Sequence, residues 1–217
     1  MMKKWNNNLL FTAIAFVLFC SVFPSCTDDE EITQTPVMDE YMEIAREILQ
    51  DSIVLNATAM MGTVNKTLLD EGCPLKYYFA WRTQDTLNIQ IRNFSVGKMP
   101  VRIWFSVNVK FMKLNTWEKE EYGSEDSGWV KFKGINGVTT VNIITDEFEG
   151  GEGGAGTVTG YFNAKTMEIE FVTNFYVENM SADVYQQTID PSRMATYDED
   201  FAQYEADLIK YKEENGL

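Results

Sequence analysis

The chain has 217 residues, of which 45% are apolar, 13% aromatic and 24% charged, the balance of one ordinary globular domain and not of a disordered or fibrous chain. Eighteen basic side chains against thirty-three acidic ones leave a net charge of −15, which argues against nucleic acid as a partner and against docking on an anionic bilayer through surface charge. There is no histidine, so Ser-His-Asp and Cys-His nucleophile systems, the usual zinc sites and a histidine pH switch are excluded.

Residues 1–25 place Lys3 and Lys4 ahead of an apolar run from Leu9 to Cys20 and a short stretch ending at Ser25, the order of a secretory signal peptide. The run holds about twelve residues, short of the roughly twenty needed to cross a bilayer, so it does not read as a transmembrane helix. Phe23-Pro24-Ser25-Cys26 then resembles the relaxed lipobox of Bacteroidota lipoproteins, with a small residue directly before the cysteine. The resemblance implies that Cys26 receives a diacylglycerol, becomes the first residue after cleavage and is acylated on its amino group. Two or more chains on one cysteine anchor firmly, because each buried CH₂ contributes about 0.8 kcal/mol. Asp28, Asp29, Glu30 and Glu31 look like the acidic export signal of such lipoproteins, which implies an outer-membrane location facing the cell exterior; the plainer alternative is a solvated linker. Residues 26–37 thus read as a lipidated acidic tether and 38–217 as a single β-rich domain. Cys20 leaves with the leader and Cys26 carries lipid, so Cys73 has no partner for an internal disulfide. It falls in Glu71-Gly72-Cys73-Pro74, which reads as a turn holding a buried structural thiol.

Beyond Pro36, Tyr41, Met42, Ala45, Ile48 and Leu49 share one face at helical spacing, with Glu43, Arg46, Glu47 and Gln50 opposite, which predicts an amphipathic helix. From Ile53 the period becomes two. Leu87, Ile89 and Ile91 alternate with Asn88, Gln90 and Arg92. Val101 through Phe111 alternate with Arg102, Trp104, Ser106, Asn108 and Lys110, and Met167 through Val177 alternate with a face that begins Glu168, Glu170. One dry and one wet face predict antiparallel strands. Shorter strands are predicted at 53–60, 76–82, 129–133, 138–144 and 157–162. The turns between strands are Gly97-Lys98-Met99-Pro100, Gly134-Ile135-Asn136-Gly137, the glycine-rich 150–156 and Asn163-Ala164-Lys165-Thr166. After Pro191, Tyr197, Phe201, Tyr204, Leu208 and Tyr211 form a second helical stripe, to be buried against the sheet or across a barrel mouth.

The predicted fold is mostly β (α+β), with about eight antiparallel strands in a curved sheet, barrel or sandwich, an N-terminal and a C-terminal amphipathic helix. With the hairpin pattern from Gly160 to Ile169, this order resembles the small calycin-like (lipocalin-like) secreted domains of Bacteroidota lipoproteins over residues 53–180. That resemblance implies a fold and no activity.

Gly151-Glu152-Gly153-Gly154-Ala155-Gly156 matches G-x-G-x-x-G, but a strand follows where a dinucleotide site needs a helix, so the match is accidental. The acidic loop 146–152 lacks the alternating ligands of a calcium loop and reads as a flexible hairpin. Glu118, Glu120, Glu121, Glu125 and Asp126 beside Trp117 and Trp129 could form the paired carboxylates of a glycan hydrolase, and charged loops look the same. Trp104 on the wetter face of its strand, Trp117 and Trp129 are the ligand-contact candidates, since a half-exposed indole stacks on a sugar or an apolar molecule. Asp51-Ser52-Ile53 and Asp85-Thr86-Leu87 resemble the short O-glycosylation acceptor of Bacteroidota envelope proteins. The expectation is a surface lipoprotein acting as a non-catalytic binding or accessory module for a glycan or small apolar molecule, with no cofactor, metal or catalytic residue assigned. The alternatives are a carboxylate-dependent glycan hydrolase and a structural or adhesive envelope component.

Overall fold

The computed structural model describes residues 39–143 and 155–217. In chain order they form α1 (Asp39–Ile48), β1 (Asp51–Met61), a two-residue β2 (Val64–Asn65), β3 (Cys73–Trp81), β4 (Thr86–Phe94), β5 (Val101–Met112) and a short α2 (Glu118–Tyr122). These are followed by β6 (Trp129–Ile143), β7 (Gly156–Asn163), β8 (Glu168–Val177), β9 (Met180–Thr188) and α3 (Tyr197–Asn215). Every strand pairs antiparallel with its neighbours, in the order β1-β3-β4-β5-β6-β7-β8-β9, and β9 returns to β1, so eight strands close an up-and-down barrel. β2 only extends β1 as a small hairpin. Closure settles the choice among curved sheet, barrel and sandwich, and the arrangement is calycin-like.

β1 closes the ring by serving two neighbours in sequence. Its first half, Asp51 to Ala57, pairs with β3, and its second half, Ala57 to Met61, pairs with β9. The inward positions carry the alternation read from the sequence: Leu87, Ile89 and Ile91 on β4, Val101 through Phe111 on β5, and Ile169, Phe171, Thr173, Phe175 and Val177 on β8 are all buried. Aromatic rings meet across the interior in a chain from Trp81 to Phe111 (5.4 Å), Phe132 (5.6 Å), Phe171 (5.7 Å) and Tyr77 (5.0 Å). A second group joins Phe105, Phe175 and Phe94. The wall is shaved to admit them: a Cβ on Gly156 would lie 2.3 Å from the Phe105 ring, and one on Gly160 would lie 2.2 Å from Phe171 Cβ.

The predicted turn at Gly134-Ile135-Asn136-Gly137 is instead a bulge inside one long strand, so the strands expected at 129–133 and 138–144 are one, β6. Its register with both β5 and β7 slips at this point. Here the glycines serve close approach and not chain reversal, since a Cβ at Gly134 would lie 2.4 Å from the Asn108 carbonyl. The strand count is restored by β9, which was not predicted. Its inward residues, Met180, Ala182 and Val184, are mostly small, and its outward ones are polar, so the alternation is faint. Glu178 and Asn179, both at positive φ (46° and 60°), make the tight two-residue turn into it.

Cys73 belongs to the start of β3, the turn ending at Gly72, whose φ is +76°. Burial holds the thiol fully covered and pushes its pKa up to about 12, as befits a packing residue. Met167, read as the first dry residue of its strand, instead occupies the β7–β8 turn at φ 59° and is 41% exposed.

Each terminal helix buries part of its predicted face. Tyr41, Met42 and Ala45 of α1, with Leu49 just after it, join the core, and α1 is fixed at the β3–β4 end by Trp81 Nε1, which donates to the Leu49 carbonyl (2.8 Å), and Arg46, which donates to the Gln84 carbonyl (2.9 Å). Helix α3 lies against the outer side of β3. Tyr204 and Leu208 are buried, and the Tyr204 hydroxyl donates to the Thr67 carbonyl (3.1 Å).

Candidate functional site

Aromatic side chains crowd the barrel interior, and on the outer wall the described residues form a groove. On β3, Lys76 and Tyr78 point away from the core between the buried Leu75, Tyr77 and Phe79. Asn88, Gln90 and Arg92 do the same on β4, and Trp104, Ser106 and Asn108 on β5. Register sets them in rows. Tyr78 pairs with Gln90 and Gln90 with Ser106. Ile91 pairs with both Tyr77 and Phe105, which brings Lys76, Arg92 and Trp104 into the adjoining row, where the β4–β5 register slips.

Amide side chains tie these rows together. Asn88, 4% exposed although it faces outward, directs Nδ2 at Ser106 Oγ (3.1 Å), the Val107 carbonyl (3.1 Å) and Asn108 Oδ1 (2.9 Å). Gln90 Nε2 donates to Asn88 Oδ1 (2.6 Å), and Arg92 donates through Nε and Nη2 to Gln90 Oε1 (3.2 and 2.9 Å). The Arg92 guanidinium also lies 3.9 Å from the centre of the Tyr78 ring, and Lys76 Nζ lies 4.2 Å from that of Tyr197. An exposed cation–π contact is worth about 0.5–1 kcal/mol, enough to hold a side chain's direction without consuming its charge. The first turn of α3 adds Tyr197 and Phe201, and between helix and strands lies a groove of about 140 Å³. No carboxylate lines it, and neither Lys76 nor Arg92 makes an ion pair among the described residues.

A second cluster lies on the outer wall of β6–β8 under the segment 113–128. Asn115 starts α2: its side chain accepts from the Glu118 N–H (2.9 Å), and the Glu118 carboxylate accepts from the Asn115 N–H (2.8 Å), a capping box. The other oxygen of Glu118 meets Lys131 Nζ (2.5 Å) and accepts from the Tyr161 hydroxyl (2.9 Å). Burial pushes the Glu118 pKa up, but Lys131, the Asn115 N–H and Tyr161 outweigh it and hold the carboxylate below its ordinary value. Tyr122 stacks on Tyr161 (4.1 Å), packs by Trp129 (5.1 Å) and donates to Glu170 Oε1. Lys119 and Lys113 pair with Glu125 (3.0 and 3.6 Å), and Lys119 is the first cause of that carboxyl's lowered pKa. Carboxylates held ionised by fixed donors make a clasp.

The three predicted tryptophans do not converge. Trp104 stands on the β3–β5 face. Trp129 is half-buried by Tyr122 at the far end of β6 from Thr140, the residue paired with Trp104. Trp117 is 78% exposed ahead of α2. Cys26 with Asp28, Asp29, Glu30 and Glu31, and the acidic loop 146–152, lie outside the described residues. Sequence reading missed Lys76, Tyr78, Gln90, Arg92 and Tyr197 as partners. The outward positions of β4 were visible in the alternation, but their neighbours depend on the reversal at Thr83–Asp85, which fixes the β3–β4 register. The stripe Tyr197/Phe201 gave a helix face without its address.

A family model described as a domain of unknown function, DUF4903, matches residues 26–216. No curated protein matches the chain.

Proposed function

The chain belongs to the DUF4903 family, and within it we propose a Bacteroidota-type surface lipoprotein whose barrel is a non-catalytic binding or accessory module that takes its ligand on the outer wall of β3–β5. Cys26 is the lipid anchor, and Asp28, Asp29, Glu30 and Glu31 are the export signal. The family match begins at residue 26, the position at which a processed chain would start.

The observation that carries the binding role is the contrast between inside and outside. The interior is packed with rings to the point of excluding a Cβ at Gly156 and Gly160, whereas the outer face offers a groove with two cations and aromatic faces and no acid. The outer face supplies what a small polar ligand needs: directional amide groups, cations held by rings, and the half-buried Trp104 beside them.

Two measurements test this. Mass spectrometry of the membrane fraction should find the N-terminal peptide beginning at an acylated Cys26, and protease added to intact cells should remove the domain. On a glycan array, the mature protein should bind through the outer wall of β3–β5, weakened by Trp104→Ala and Arg92→Ala and unaffected by Trp117→Ala. Unchanged binding in the first two variants rejects the outer-wall site.

A further inference from the structure

We infer that the groove between α3 and the β3–β4 wall is a subsite for an acidic saccharide, a sugar unit whose carboxylate is received between Arg92 and Lys76. The inference rests on the outer-wall binding role proposed above and names its ligand class.

Three features of the groove lead to it. The first is charge. In a chain with thirty-three acidic residues, this groove brings together two cations and no carboxylate. The average field repels anions, so an anion that binds here must do so by local, short-range contacts. The second is geometry. A guanidinium has five N–H donors, and Gln90 Oε1 takes the Nε and one Nη2 hydrogen. With the guanidinium 3.9 Å from the Tyr78 ring centre and those two hydrogens engaged, the Nη1–Nη2 edge is left, the fork that fits a carboxylate with two parallel bonds. Lys76, steadied over Tyr197, is a second positive charge on the same groove. The third is size and surroundings. A groove of about 140 Å³ gives room for a sugar ring or chain end. The polar side chains of Asn93 and Ser95 on its lining suit sugar hydroxyls.

An acidic peptide fits less well. β3, β4 and β5 are each paired on both sides, so no free strand edge is offered for a peptide backbone to extend.

The test is calorimetric titration of the mature protein at low salt with tetragalacturonate, with the methyl ester of the same oligosaccharide, and with a glutamate tetrapeptide. Tetragalacturonate should bind. The ester, which keeps the rings and removes the charge, should bind roughly tenfold or more weakly. Arg92→Ala should lose roughly ten- to a hundredfold, and Arg92→Lys, which keeps the charge and loses the fork, should recover only part of it. Equal binding of acid and ester by the wild-type protein, a comparison that needs no variant to fold, overturns the inference while leaving a neutral-glycan role on the outer wall intact. Equal or tighter binding of the glutamate peptide overturns the saccharide assignment. Failure of tetragalacturonate together with a blank glycan array removes the outer-wall role itself.

Discussion

On β6–β8 the segment 113–128 folds back over the barrel wall and its central charges close on one another: Glu118 on Lys131, Tyr161 and Asn115, and Glu125 on Lys119 and Lys113. On β3–β5 the element that returns over the wall is α3, and beneath its first turn Lys76 and Arg92 meet aromatic faces and an amide instead of carboxylates. Both clusters combine rings with charges, and from the sequence the first looked more like a site, because acids and tryptophans crowd together there. The difference is what the charges have left to give. A charge that is desolvated and saturated stabilises a loop, whereas one steadied by a ring keeps its hydrogen-bonding capacity for a visitor.

That contrast can be broken by measuring stability on each side. Glu118→Gln should have the largest effect, a loss of about 3 kcal/mol in urea unfolding, because it strands Lys131, 7% exposed, without its counter-charge. The same carboxylate sets an acid dependence. Its folded pKa lies below the ordinary value of 4.5, so its contribution is fully present above that pH and fades as pH falls through the depressed value. Wild type should therefore lose stability below about pH 4.5, and Glu118→Gln should show a flatter acid limb. Tyr122→Phe, which removes the hydrogen bond to Glu170 and keeps the stack on Tyr161, should cost about 1–2 kcal/mol by the same measurement. Asn115→Ala should cost about 1 kcal/mol through loss of the cap. Lys76→Ala and Arg92→Ala should be the mildest, each below about 1 kcal/mol, since each removes only an exposed cation–π contact and, for Arg92, a bond to an exposed amide. A loss at Arg92 matching that at Glu118 would mean that the open face is also a clasp.

The strands of strong alternation, β4, β5 and β8, were legible because their inner faces are large and apolar and their outer faces polar. β9 was hidden because its inward residues are mostly small. β6 was split because glycine has two uses that read alike: Gly134 and Gly137 admit neighbours, while Gly97, at φ +57°, turns the chain. For the site, Trp104 was legible on its strand's wet face, and Trp129 beside the acidic cluster, but that the two stand on different parts of the wall was not, because cross-strand register decides which outward residue stands beside which. Lys76 and Tyr197 are over a hundred residues apart in the chain, and no local pattern links them.

The divided pairing of β1 bears on how the protein is made. The strand that leads the barrel bonds through its second half to the strand that completes it, Ala57 opposite Val184 and Met61 opposite Met180. A chain synthesised from its N-terminus therefore holds an unsatisfied row of peptide groups on β1 until residues 180–188 arrive, and this long-range closure is a slow step. Truncation ahead of β9 leaves two sticky borders that can recruit another copy, so nascent chains of this kind need shelter until the last strand docks.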